Sequence, residues 1–351
     1  LNPLSAERAR DIYYPAGQKD DGADCKVHAH MVRTGWRSLR PLQPEDEKDH
    51  RIGALLRQRN DLVDMRAQTR QRLGSVLAEA SPVLCALCDN LRRQWVQDLL
   101  RRWPLEQEFV GAHGNALNGF LSDHPLIRQS TEQRIRAAWQ QTPYKHDETT
   151  AECYKVQIQS LMDTIASLGQ QIERLEEKIG ELLADHPEKD IFSSLPTDSE
   201  ITIAALCTAF GPDRDEPHDW SDYSGYFGTS PITESSGKNK EVKMRRARDG
   251  TVHKALLDFA DSTRRKEHCW AYTYYERKRS EGLDYYHALR CLASRWVKIL
   301  HAMWRNRTEY DEDFHRRRRR ERGNIAAKLP PIAVRKIDFE GVSGHRIVGA
   351  G

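Results

Sequence analysis

Residues 154–187 read "YKVQIQSLMDTIASLGQQIERLEEKIGELLADHP", and their apolar positions set the architecture. Ile158, Leu161, Ile165, Leu168, Ile172, Leu175, Ile179 and Leu182 recur at steps of 3, 4, 3, 4, 3, 4 and 3. That spacing keeps one apolar seam on one face of a helix, and the remaining positions carry Glu, Lys, Arg and Gln. The stretch reads as a coiled coil, made either between chains or by packing back on this chain. "ADHP" ends it. Gly169 and Gly180 lie off the seam and weaken the helix modestly.

Working outward, residues 45–102 read as two long helices. Ile52, Leu55, Leu56, Leu62, Val63, Leu73, Val76 and Leu77 form an apolar stripe, and Arg57, Arg59, Arg66, Arg70 and Arg72 are assigned to the opposite face. Residues 103–143 read as a helical insert. Near the start, Pro3 in "LNP" is read as stopping an extended segment. "YYPAG" is a turn, and a helix begins near Gly22. Beyond the seam, "ITIAALCTAFG" reads as a buried helix. A polar segment follows, and then two aromatic-rich helices. On the last, Leu289, Leu292, Trp296, Ile299, Leu300 and Met303 share a core face. From Arg316 onward no periodicity is evident, and the tail reads as mostly disordered.

The chain has 351 residues, enough for more than one domain. No run approaches the roughly 18 apolar residues of a membrane span. Its seven cysteines are scattered, which fits a reducing cytoplasm. The pair Cys85 and Cys88 has no second pair or matching histidines and reads as two buried thiols. Net charge is only +3, yet basic residues are blocked. "KNKEVKMRRAR" (238–248) holds six Lys/Arg against one Glu: Lys238, Lys240, Lys243, Arg245, Arg246 and Arg248. "HRRRRRERG" (315–323) holds six Arg against one Glu. Such blocks in a nearly neutral chain point to a polyanion, most often nucleic acid; for 316–320 a solvated tail fits equally.

Two short stretches could carry chemistry. In "KDDGADC" (19–25), Asp21 and Asp24 are three apart and share a helix face, and two hard oxygen ligands suit Mg²⁺. The same residues equally suit a helix cap. In "TESSGKNK" (233–240), two serines precede a glycine and a basic run, a setting for attack on phosphorus. A solvated loop is the other reading.

The motifs in series resemble the DEDD-type transposases of the insertion-sequence-110 family, the bridge-RNA-guided recombinases. The resemblance covers residues 1–314 and runs through "LNP", "YYPAGQKDDGADC", "RNDLVDMRAQTRQRL", the heptad stretch, "HPEKDIFSSLP", "LCTAFGPDRD", "YSGYFGTSPITESSGK" and "ALRCLASRWVKILHAMWRNRTEYDE". It implies a mainly α fold with partial α/β: a remnant of a RuvC-like (RNase H-type) domain with a helical insert over 1–148, a coiled coil over 149–187, a helical transposase domain over 188–314 and a basic tail over 315–351. The family's Lys-x-Asp-x-x-Asp pattern falls on Lys19, Asp21 and Asp24, with Asp20 in the variable position. Its Gly-x-x-Pro-x-x-x-x-Ser-Gly pattern falls on Gly228, Pro231, Ser236 and Gly237.

The resemblance implies that Ser236 attacks a DNA phosphodiester and that Asp21 and Asp24 bind Mg²⁺. It also implies a structured noncoding guide RNA that selects DNA, a homo-oligomer formed through the coiled coil, and a place in the prokaryotic cytoplasm beside the nucleoid. Nucleic acid is assigned to Lys238, Lys240, Lys243, Arg245, Arg246, Arg248, Arg66 and Arg70. Two departures stand out. The family's first Asp and its Glu align before Leu1, so the chain reads as N-terminally incomplete. Where the family has a glycine-rich hairpin, this chain has Thr197, Asp198 and Ser199. A truncated relative that binds nucleic acid without cutting it, and a RuvC-like nuclease with no covalent intermediate, are the alternative readings.

Overall fold

The computed structural model describes residues 3–14, 20–35, 46–211, 214, 219–236, 239–243 and 248–321. The chain is mainly helical, and among the described residues the only strands are one antiparallel pair. It divides into two compact units, 1–46 and 47 onward. The first holds helices α1 (Pro3–Tyr13) and α2 (Asp21–Gly35). Pro3 opens α1, where its missing N–H costs nothing because the first turn has no acceptor for it; the extended segment expected before it falls on residues that are not described. Leu1 and Asn2 lie outside the described residues. Ala6 of α1 and Ala23 and Val27 of α2 are buried, and the Tyr13 ring meets His30 edge-on at 4.5 Å.

The second unit is organised by two long helices, α3 (Glu47–Ala80, 34 residues) and α9 (Glu148–Ala184, 37 residues). They run antiparallel. Lys48 Nζ reaches the Asp185 carbonyl at 3.0 Å, and the His186 ring bonds Asp49 Oδ1 at 2.7 Å. Near the other end His146 Nε2 donates to the Ala80 carbonyl at 2.9 Å. The heptad seam therefore packs back on this chain: Ile158, Ile165, Leu168, Ile172 and Ile179 are buried, while Leu161, Leu175 and Leu182 are half-buried. Arg59, expected on the far side of α3, reaches across to Glu176 at 2.6 Å. A long side chain leaving the edge of the apolar stripe spans the groove, which spacing alone does not show.

The second of the expected long helices in 45–102 is broken. After Ser81-Pro82 come α4 (Pro82–Leu87), α5 (Gln94–Arg102), α6 (Glu106–Gly111), α7 (Gly114–Asp123) and α8 (Gln129–Trp139). Trp103 packs against Phe109, Phe120 and Trp139 at 5.6–5.9 Å. Cys88 is buried and Cys85 half-buried, and burial pushes the Cys88 thiol up to about 12. This small core is shared with α3 and α9 through Leu73, Leu77, Ile158 and Ile165, so the helices on either side of residue 148 form one body.

One buried carboxylate pins this region. Glu106 is 1% exposed. It accepts from the Val83 N–H at 2.8 Å and the Tyr144 N–H at 2.5 Å, tying the start of α4 to the segment that leads into α9. Glu106→Leu orphans both donors, and each costs about 1–3 kcal/mol when buried. The variant is expected to lose roughly 2 kcal/mol or more in urea unfolding; an unchanged midpoint would refute this role.

The rest of the unit is a helical body. α10 (Lys189–Ser193) leads to α11 (Glu200–Cys207), whose residues 202–207 are all buried, as expected. Ser199, in the segment that departs from the family pattern, caps α11 by accepting from Thr202 N at 3.2 Å. Helix α12 (Trp220–Tyr226), unnoticed in the polar segment, starts with a capping box between Asp219 and Asp222. The first aromatic-rich helix is two, α13 (Gly250–Thr263) and α14 (Trp270–Ser280). The second is α15 (Tyr285–Asn306). Its expected stripe is core: Trp296 is fully buried and sits 4.7 Å from Phe259 and 4.8 Å from Trp270. Helix α16 (Glu312–Glu321) carries the arginine run, so the backbone through residue 321 is regular. The Asp311 carboxylate accepts from Phe314 N at 3.0 Å, and Arg316 pairs with Glu312 and donates to the His268 carbonyl. Residues 322–351 lie outside the described residues. No described helix is long and apolar enough to cross a membrane.

Candidate active site

In the first unit the two uses of "KDDGADC" fall to different residues. Asp20 is the cap: its Oδ1 accepts from Ala23 N at 2.7 Å, and its carbonyl accepts from Asp24 N at 3.0 Å. Gly22 gives that carboxylate room, since a Cβ there would lie 3.1 Å from Asp20 Oδ1. Asp21 and Asp24 are thereby left one turn apart on the first turn of α2. Asp21 is exposed. Asp24 is half-buried and receives Arg10 Nε on Oδ1 at 2.6 Å. Its second oxygen is not used by Arg10, so the pair retains hard oxygen donors of the kind a divalent cation takes. Among the described residues no three His, Cys, Asp or Glu side chains converge on one point. Lys19 lies outside the described residues.

Ser236 is placed in the second unit. It ends strand β1 (Ile232–Ser236), which pairs antiparallel with β2 (Asn239–Lys243). The register runs from Ile232 opposite Lys243 to Ser236 opposite Asn239, with Ser235 opposite Lys240. The serine stretch is a hairpin arm, where a solvated loop was one reading. The signal was present: a two-residue connection beginning with glycine, Gly237-Lys238, between runs that contain Ile, Thr and Val. Lys240 and Lys243 lie on β2; Lys238, Arg245 and Arg246 lie outside the described residues.

The root of this hairpin joins Gly228 and Arg248 to small polar residues that no sequence motif marks. Ser224 on α12 is fully buried and its Oγ meets Thr229 Oγ1 at 2.7 Å, Ser230 Oγ at 2.7 Å and Ser294 Oγ of α15 at 3.0 Å. Between them Gly228 takes φ +68°, which side chains rarely adopt. Arg248 lies directly on it: a Cβ at 228 would stand 2.4 Å from Arg248 Cδ. The far side is closed by Asp249 N donating to the Tyr226 carbonyl at 3.1 Å. Asp249 in turn caps α13, accepting from Thr251 N and Val252 N at 2.9 Å. "DGT" is a recognisable cap signature.

His253 locks the same turn. Its Nδ1 donates to the Phe227 carbonyl at 2.8 Å. Burial pushes its pKa below the ordinary value, and Arg248 and Arg290 push the same way against that hydrogen bond. The unfolded chain takes a proton at this imidazole near pH 6.5, the folded chain only at lower pH. Below about pH 6.5 the unfolded state therefore binds more protons, and stability falls as pH drops towards the folded-state pKa. Melting temperatures between about pH 7.5 and 5.5 should show that decline, and His253→Asn should flatten it. Identical slopes for the two proteins would exclude His253 as its source.

Arg66 and Arg70 lie on α3, both half-buried. They flank the groove towards α9, since a Cβ at Gly169 of α9 would lie 3.7 Å from Arg66 Nη1.

The chain is similar to known proteins in two segments and over most of its length. A family profile for DEDD-type IS110 enzymes, described as "Transposase", matches residues 1–82. A second, "Transposase IS116/IS110/IS902 family", matches residues 189–276. The chain is 24% identical over 318 residues to the "Mini-circle putative transposase for IS117" of Streptomyces coelicolor, covering 89% of this chain and 77% of that protein. It is 26% identical over 315 residues to the "Insertion element IS110 uncharacterized 43.6 kDa protein" of the same species, covering 89% and 76%. A shorter match, 32% over 128 residues and 36% of each chain, is to the "Putative transposase y4uE" of Sinorhizobium fredii. The two matched models and these relatives support an IS110-family transposase, a class whose reaction is DNA recombination.

Proposed function

We propose that this transposase joins DNA through a covalent link to Ser236. The Oγ–phosphorus bond forms as the bond from phosphorus to one neighbouring nucleotide breaks, and that nucleotide's oxygen takes up the proton the serine gives up. The observation that carries the reading is the placement of Ser236. It ends a hairpin arm whose root is fastened by the Ser224 hydroxyl cluster and by the close seat of Arg248 on Gly228. Anchoring the root fixes where the arm leaves the helical body, and orienting a nucleophile is where much of the barrier reduction in phosphoryl transfer comes from. The cations at Lys238, Lys240, Lys243, Arg245, Arg246 and Arg248 suit the phosphate backbone next to the reacting bond.

Asp21 and Asp24 are the residues here that would hold Mg²⁺, as two carboxylates of a larger acidic set in a RuvC-like domain to which α1 and α2 belong. When bound, the metal supplies charge stabilisation at the reacting phosphate. The chain's own part is to present both carboxylates from one helical turn, with Asp20 taking the cap and Arg10 fixing Asp24. A structured noncoding RNA selects the DNA by base pairing, and the chain acts as a homo-oligomer.

The test is a trapped intermediate. The full chain is expressed with a plasmid carrying its element, recovered under denaturing conditions, and digested with nuclease and trypsin. Mass spectrometry is expected to find a nucleotide remnant on the peptide that contains Ser236. Cleaved DNA with no protein attached would instead indicate a hydrolytic nuclease, and a remnant on another residue would reassign the nucleophile.

A further inference from the structure

Arg59 and Lys48 of α3 have partners: Arg59 meets Glu176, and Lys48 meets the Asp185 carbonyl. Among the described residues, two others do not. Arg66 and Arg70 stand one turn apart on α3, and the Nε of each is buried without a hydrogen-bond partner. Helix geometry offers them no carboxylate: three and four residues either side stand Leu62, Val63 and Thr69 for Arg66, and Ala67, Leu73 and Gly74 for Arg70, apart from each other. A third cation is brought in by the loop between α4 and α5. Leu91 seats that loop against α3, close to where a Cβ at Gly74 would lie (3.9 Å). The next residue, Arg92, is exposed and acts on Arg70. Burial lowers the Arg70 pKa first, and the charges of Arg66 and Arg92 lower it further. Guanidinium stays charged under any such shift, so the cluster holds like charges together without a counter-ion, at a cost in stability. On the α9 side the Arg66 guanidinium lies over Gly169, where no side chain covers it.

We propose that Arg66, Arg70 and Arg92 form a notch for the phosphates of a nucleic-acid backbone. A phosphodiester supplies the acceptors these guanidinium groups lack, in a geometry that planar N–H forks match. The proposal rests on the transposase reading for its class of ligand, since a recombinase handles DNA and the proposed guide is RNA. Arg66 and Arg70 are assigned to nucleic acid by the resemblance; the proposal goes further by naming the phosphate backbone as what they hold and by adding Arg92, which no motif marks.

The experiment uses the full chain and three probes: a labelled DNA duplex, a labelled RNA duplex and inorganic phosphate. Anisotropy titrations are run across a salt series for wild type, for the Arg66→Gln/Arg70→Gln double variant and for Gly169→Asp. The double variant is expected to bind at least one polymer on the order of 100-fold more weakly. Its log–log salt slope should drop by about 2, roughly one per phosphate contact. Gly169→Asp places a carboxylate beside Arg66 and should weaken the same polymer by on the order of tenfold. Whichever polymer is affected identifies the source of the phosphates. Without nucleic acid, the double variant should melt higher than wild type, because repulsion is relieved; a purely structural pair would melt lower. Unchanged affinity and slope in the double variant, with wild type binding, overturn the notch and leave the transposase reading standing. Wild type binding neither polymer overturns both. Inorganic phosphate raising the melting temperature as much as the polymers would mark a small-anion site and overturn the proposal.

Discussion

Ser236→Ala is expected to reduce strand exchange to background, a loss of at least about 10³-fold, because no second group can replace a lost covalent nucleophile at comparable rate. The fold should be unaffected. Ser236 ends β1, and its pairing to Asn239 is made by the backbone. Replacing a strand-end serine with alanine costs well under about 1 kcal/mol on strand propensity. Melting temperature and nucleic-acid affinity should therefore match wild type while the covalent adduct disappears. Ser235→Ala is the control. Ser235 sits one register step away, opposite Lys240, and its removal should leave exchange within a few-fold of wild type. Exchange that persists in Ser236→Ala and vanishes in Ser235→Ala would move the assignment one residue back. Exchange that survives both single changes and the double change would remove serine chemistry from this hairpin altogether.

How much of this was legible beforehand depends on whether the governing interaction is periodic. The heptad seam is a repeat of apolar residues, and its helix packs on α3 of the same chain, one of the two arrangements the spacing left open. The stripe on α15 is read correctly for the same reason. Arg59 was misplaced because a guanidinium reaches farther than its Cβ position indicates, and Glu176 lies 117 residues away. "KDDGADC" was ambiguous because three aspartates near a helix start all suit a cap. Only the bond from Ala23 N to Asp20 assigns the cap to one of them. The hairpin root was illegible for a further reason. Ser224, Thr229, Ser230 and Ser294 are small polar residues with no pattern in sequence, and their grouping exists only once α12 and α15 pack. The arginine run in α16 read as mostly disordered because it shows no apolar periodicity, whereas Asp311 caps the helix start and Glu312 pairs with Arg316.

Gly228→Ala is the second large effect, and its physics is separable from the chemistry at Ser236. The position holds φ +68°, which alone costs a non-glycine residue roughly 1–3 kcal/mol. The added methyl would also stand 2.4 Å from Arg248 Cδ and 2.9 Å from Arg248 Cβ. A rotamer change at Arg248 can move the first atom and cannot move the second, so the backbone must part. It is held there by Asp249 N to the Tyr226 carbonyl and by His253 to the Phe227 carbonyl, the bonds that close the root. The core of α11, α13 and α15 lies outside this contact and should keep the unit folded. Strand exchange and adduct yield are thus expected to fall by orders of magnitude while far-ultraviolet circular dichroism stays native and the melting temperature drops by a few degrees. Arg248→Gly supplies the discriminating arm. Combined with Gly228→Ala it removes Cβ and the rest of the side chain, and with them the steric conflict, and leaves the φ cost, so the double-mutant cycle should show a favourable coupling of about 1 kcal/mol or more. Additive stabilities would mean that the two residues do not meet, and the hairpin would then need another anchor than the close seat of Arg248 on Gly228.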